Sequence, residues 1–210
     1  MFKKIAITAL TLFVFVSCKD GNNANRSSGA NYKNPLMQES TLPFEVPPFD
    51  KIQTSDFLPA FEAGMEQQLE EINIIATNEA TPTFENTLVA LEKSGQLLTR
   101  VQHVFGILTS ANTNPDLQEI QQEIAPQLAA HYDAIYLNDS LFERVKTIYN
   151  NREELELDPE SQRLVEYYYQ QFLRAGANLS AEDKTKLKEL NKKAASLSTS
   201  FNNKLLAATK

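Results

Sequence analysis

The chain has 210 residues, 42% of them hydrophobic, and a formal charge of −7, enough length and apolar content to bury one sizeable core. The acidic balance, with no block of Lys and Arg interleaved with aromatics, excludes a groove that tracks phosphates, so nucleic acid is not an expected partner. A single cysteine excludes an intrachain disulfide framework and a Cys-rich zinc site, and neither His103 nor His131 opens a His-Glu-x-x-His pair.

The chain begins with Lys3 and Lys4 and an apolar run from Ile5 to Val16, broken only by threonines. That run is shorter than the roughly twenty residues a bilayer span needs and suits the core of an export signal. It ends in Phe15-Val16-Ser17-Cys18, which resembles the lipobox of bacterial lipoproteins. This makes residues 1–17 a lipoprotein signal peptide and Cys18 the lipidated first residue of the mature chain. Residues 18–34 are rich in Asn, Ser and Gly and read as a flexible tether. The expected location is outside the cytoplasm, on a membrane facing the periplasm or the cell surface, held there by the lipid on Cys18.

From Asn34 to Asp50 four prolines exclude a regular helix and predict an extended strap, anchored on a helical surface by Leu42, Phe44, Val46 and Phe49. Thr54 or Ser55 then caps a helix with the stripe Phe57, Phe61, Met65, Leu69, Ile72 and Ala76, and Pro59 is tolerated within its first turn. Met65 reads as core filling, and Glu62, Glu66, Glu70 and Glu71 as a solvated face.

The segment Thr81-Pro82-Thr83-Phe84-Glu85-Asn86-Thr87 opens the next helix, with either Thr81 as N-cap and Pro82 at the first position, or Thr83 as the cap. Its apolar positions, Phe84, Leu88, Leu91, Leu98, Phe105 and Leu108 with Gly95 and Val101 between, predict one long helix. Glu85 and Asn86 fall in its first turn, where a carboxylate complements the helix dipole.

Asn114-Pro115 starts a helix bearing Leu117, Ile120 and Ile124, kinked at Pro126 and continuing through Leu128, His131 and Ile135. His131 reads as a core-edge or surface residue, and Asp133 is too near in sequence to pair with it as a dyad. Asp139-Ser140 and Asp158-Pro159 start two further helices, the second carrying Tyr167-Tyr168-Tyr169 and ending at Gly176. The three tyrosines point to three sides of that helix, and hydrogen bonding between helices is their expected task. Ser180, with Asp183 three residues on, caps a last helix with the stripe Leu187, Leu190, Ala194, Leu197, Phe201 and Leu205. A stripe this apolar needs partner surface that the preceding helices do not fully supply. The absence of strand alternation predicts an all-α, antiparallel helical array.

Several of these segments together resemble the thimet-oligopeptidase (M3) family of zinc metallopeptidases, in its peptidyl-dipeptidase branch. They are Asn34-Pro35-Leu36, Pro48-Phe49-Asp50 with Phe57-Leu58-Pro59-Ala60, Pro82-Thr83-Phe84-Glu85-Asn86-Thr87, Leu141-Phe142-Glu143-Arg144-Val145 and Phe172-Leu173-Arg174-Ala175-Gly176-Ala177. They occur in family order and cover nearly all of the chain after the tether. The resemblance implies that residues 35–210 are the N-terminal helical domain, incomplete here, of a neurolysin-like fold built around a peptide channel. It also implies oligopeptide substrates, release of C-terminal dipeptides, and a zinc held by a His-Glu-x-x-His helix and a later glutamate. Those catalytic and metal residues belong to a C-terminal half that these residues do not match. No catalytic or metal-binding residue is therefore assigned, this chain alone is expected to bind no zinc and to be inactive, and residues Pro82 to Thr87 keep a structural, capping role. The second reading is a stand-alone, non-catalytic helical lipoprotein that binds peptides or a protein partner.

Overall fold

A computed structural model of the protein describes residues 32–209, all of whose regular structure is helical. The expected signal peptide, Cys18 and nearly all of the expected tether lie outside the described residues. The helices are α1 (Phe57–Ala76), α2 (Ala90–Glu92), α3 (Gln96–Ala111), α4 (Pro115–Tyr136), α5 (Asp139–Asn151), α6 (Pro159–Ala175) and α7 (Ala181–Ala208).

Side-chain caps set most of the helix starts. Asn114 accepts the Leu117 N–H at 2.8 Å, with Pro115 in the first position, and Asn138 accepts the Leu141 N–H at 3.0 Å. Asp158 accepts from both Glu160 and Ser161, and Ser180 Oγ accepts the Asp183 N–H at 3.1 Å. Helix α6 stops at Gly176, whose φ of 99° is the left-handed conformation that a C-terminal glycine supplies. Pro126 lies inside α4 without ending it.

The helices pair antiparallel, as the opposite chain order of two contacts within each pair shows. Phe57 of α1 meets Phe105 of α3 with ring centroids 5.0 Å apart, while Glu71 near the other end of α1 reaches the Gly95 N–H. Phe142 and Tyr149 of α5 stack on Phe172 and Tyr169 of α6. Asn191 of α7 donates to Asp133 of α4, and Lys184 reaches the carbonyl of Leu137.

Two apolar clusters result, and α1 serves both. Its first half joins Leu36, Leu98, Val101, Val104, Phe105, Leu117 and Ile124; its second half, through Ile72 and Ile75, joins Leu88, Ile135 and the inner faces of α5 and α6.

Three expectations are corrected. The helix after Thr83 is not continuous: Phe84–Val89 is a π-helical turn running into α2, and the chain then breaks at Gly95, whose φ is 71°. Gly95 therefore ends one stripe and starts another rather than filling a gap in it. Of the two caps considered there, Thr83 is the one used. At α1 neither Thr54 nor Ser55 caps; a 3-10 turn, Thr54–Asp56, leads in, and the Gln53 N–H donates to Asp56 Oδ2 at 2.7 Å. In the strap, Leu42, Phe44, Val46 and Phe49 are exposed, Phe44 to 99%. The strap's anchor is Leu36, buried in the first cluster, with its carbonyl held by Arg100 Nε at 3.2 Å. The prolines fold the strap into short turns at Pro35–Met37 and Pro43–Glu45, and turns of that kind do not lay alternate side chains along one surface.

The α1–α3 crossing is close enough to require a glycine. A Cβ on Gly64 would lie 2.9 Å from the Leu98 Cα, which belongs to a backbone that cannot swing aside. Alanine favours a helix over glycine by about 1 kcal/mol, yet Gly64→Ala is expected to lose about 1–3 kcal/mol through overpacking. A urea melt of the variant beside the parent checks the sign.

Candidate functional site

The segment singled out by sequence forms a hydrogen-bonded knot. Thr83 Oγ1 accepts the Asn86 N–H at 3.1 Å, and Asn86 Oδ1 accepts the Thr83 N–H at 2.9 Å. Asn86 Nδ2 donates to the Thr81 carbonyl at 2.9 Å, and the Thr87 hydroxyl donates to Asn86 Oδ1 at 2.8 Å. Pro82 precedes the cap, Phe84 packs against the second cluster, and Glu85 is exposed.

Onto this knot closes Arg144 of α5, 7% exposed. Nη1 donates to the carbonyls of Asn78 and Ala80 at 2.6 and 3.1 Å, and Nη2 donates to Asn86 Oδ1 at 2.8 Å and Thr87 Oγ1 at 3.2 Å. Burial lowers the Arg144 pKa, but a guanidinium keeps its proton at any ordinary pH, so a full charge sits in a cage of neutral oxygens. Sequence reasoning did not single out Arg144. The available signal was a cation on the inward stripe of α5, between Phe142 and Val145.

His131 is buried on α4, and its Nε2 lies 2.7 Å from Gln68 Oε1 of α1. Gln68 Nε2 points to the Ser94 hydroxyl, which assigns Oε1 to the histidine and makes Nε2–H the donor. Nδ1 has no partner, and burial lowers the pKa of the ring. Asp133 bonds Asn191 instead, so the two residues serve separate contacts. An apolar hollow of about 440 Å³ lies beside His131, bordered by Met65, Leu69, Pro126, Ala130 and Lys192.

The three tyrosines divide as follows. Tyr168 donates to Glu92 at 2.8 Å, Tyr169 stacks on Tyr149 at 3.8 Å, and Tyr167 is exposed over a second hollow edged by Glu160 and Arg163. Burial, then the bond to Glu92, raises the Tyr168 pKa. Glu71, expected in the solvated face, is half-buried and accepts the Gly95 N–H at 2.7 Å.

Among the described residues no three of His, Cys, Asp and Glu gather where a metal ion could sit. These side chains do not fit a zinc site, and no step through zinc is assigned to them. The groups with unusual environments, Arg144, His131 and Tyr168, are each held by neighbours outside their own helix, an arrangement that fixes helix positions.

No family model matches the chain. It is 49% identical over 177 residues to the dipeptidyl carboxypeptidase of Escherichia coli (strain K12), an alignment covering 84% of this chain and 26% of that relative. The dipeptidyl carboxypeptidase of Salmonella typhimurium is 47% identical over the same shares. These homologues are peptidases of the M3 family. This chain is also 23% identical to the Escherichia coli oligopeptidase A, with 84% of this chain and 25% of that protein aligned. The chain thus spans about a quarter of the length of the curated relatives it matches.

Two outcomes are expected. Asn86→Ala removes one of the four acceptors of a buried cation together with part of the N-cap, and should cost about 2–4 kcal/mol. In a double-mutant cycle with Arg144→Met the combined loss should fall well short of the sum, as measured by urea unfolding. For His131, the unfolded chain takes up its proton first as pH falls through the ordinary value of 6.5. Its contribution is therefore complete above that value and is lost as pH falls from there toward the lowered folded pKa, at up to about 1.4 kcal/mol per pH unit. Unfolding midpoints between about pH 7.5 and about pH 5.5 should drop less in His131→Gln than in the parent.

Proposed function

We propose that this chain is the amino-terminal helical portion of an exported zinc peptidase that shortens oligopeptides by releasing dipeptides from their carboxyl ends. The observation that carries this reading is the 49% identity, sustained over 177 residues, to the Escherichia coli dipeptidyl carboxypeptidase. The helices 35–210 form part of a channel wall that admits extended peptides. Zinc, when bound, supplies the polarisation of the scissile carbonyl and the activated water, and its ligands are assigned to polypeptide beyond these helices. What the described residues contribute is rigid support: the Arg144 cage and the α1–α3 crossing hold the wall in place.

Lipidation of Cys18 completes the proposal, tethering the peptidase to a membrane that faces the periplasm or the cell surface. The run Ile5–Val16 ending at the chain's single cysteine supports it.

The test is made on native protein extracted from the membranes of its source cells. Its intact mass should lie well above the 23.6 kDa of this chain, and it should release C-terminal dipeptides in a reaction that a chelator stops. A native mass near that of the processed chain, with no dipeptide release, overturns the peptidase reading. Cys18→Ser should shift the protein out of the membrane fraction; unchanged fractionation rejects the anchor.

A further inference from the structure

Helix α7 is turned the unexpected way round. Its inward positions are Lys184, Leu187, Asn191, Ala195, Thr199 and Asn203, mostly polar or small. Its outward side carries Leu190, Ala194, Leu197, Phe201 and Leu205, with Leu197 61% and Phe201 64% exposed. Leu190, Ala194, Leu197, Phe201 and Leu205 follow one another in steps of three and four, the spacing of a seam that packs against another helix. Solvent is a poor neighbour for such a seam. Burying a single leucine or phenylalanine side chain contributes about 1.5–3 kcal/mol.

Charge narrows the occupant. Seven residues turn a helix almost back to the same face, and so do eleven, so Lys186, Lys193 and Lys204 lie along one edge of the seam, Lys186 paired there with Glu182 at 2.7 Å. From Lys184 to Ala208 the only carboxylate is Glu189. A second copy of the chain would bring the same lysines, with Glu189 as their one carboxylate besides Glu182 and Asp183, which already pair with Lys186.

We infer that the outward seam of α7 is the docking surface for an amphipathic helix edged with Asp and Glu, belonging to the polypeptide that makes up the rest of the peptidase. The inference rests on the proposed function. The relatives hold about three-quarters of their length outside the aligned part, and the seam lies on the last described helix. The earlier expectation that this stripe needs outside partners agrees with its exposure.

The test mixes the 210-residue protein with the separately produced part of the Escherichia coli dipeptidyl carboxypeptidase outside the matched 177 residues, and reads complex formation by light scattering. A one-to-one complex is expected, weakened at least about tenfold by Leu197→Asp with Phe201→Asp and little changed by Ile74→Asp with Ile107→Asp, exposed control positions on α1 and α3. A second measurement does not depend on folding of the Escherichia coli part: two designed helical peptides share one leucine seam, edged with Glu in one and with Lys in the other. The Glu-edged peptide should bind more tightly, and Lys193→Glu with Lys204→Glu should reverse that order. A complex indifferent to the seam substitutions, self-association of the chain through the seam, or equal binding of both peptides overturns the inference. Each of these outcomes leaves the peptidase reading to be judged by dipeptide release from the native protein.

Discussion

A buried cation with no carboxylate beside it constrains much of this structure. Arg144 offers its guanidinium to two backbone carbonyls, an amide oxygen and a hydroxyl, all between Asn78 and Thr87. Those oxygens lie in a stretch that is not regular helix until Phe84, so its backbone groups cannot satisfy one another. Desolvating a charge costs several kcal/mol unless dipoles replace the lost water. The segment between α1 and α2 must therefore hold one conformation for α5 to dock at all. Asn86 links the two requirements, since the same side chain closes the N-cap of the π-helical turn and receives the arginine.

This explains why the segment from Pro82 to Thr87 has a distinctive composition without carrying chemistry. Thr83 supplies the cap, Asn86 the shared acceptor and Thr87 a hydroxyl that both donates and accepts, while Phe84 fills the adjoining cluster. The capping reading of these residues identified half of the arrangement. The other half depends on a residue 58 positions away, and local pattern carries no information about a contact at that separation.

The same division runs through the rest of the chain. Caps at Asn114, Asp158 and Ser180 and the stop at Gly176 were legible because each is decided within a few residues by hydrogen bonds or a permitted φ. The all-helical class and the inner stripes of α5 and α6 were legible from period alone. The break at Gly95 was not, since a glycine at a stripe position fits a continuous helix equally well; Glu71 and Gln68 from another helix decide the matter. Nor did the strap's composition reveal that Leu36 would be its anchor, because its prolines turn the larger side chains outward. As for the candidate site, the Pro82–Thr87 segment and His131 were found, whereas Arg144 was noted only within a family-like segment; its burial against the knot, like that of His131 against Gln68, depends on helix crossings.

Helix α1 belongs to two apolar clusters at once, joining the first along Phe57, Phe61 and Met65 and the second through Ile72 and Ile75. Opening either cluster strips α1 of part of its buried face and so weakens its hold in the other. The two halves are thereby coupled into a single unfolding unit, in which local opening on one side weakens the other. A protease that nicks a connection between these helices does not liberate a smaller stable piece, and an exchange of segments between relatives keeps a folded product only when it carries α1 together with both sets of its neighbours.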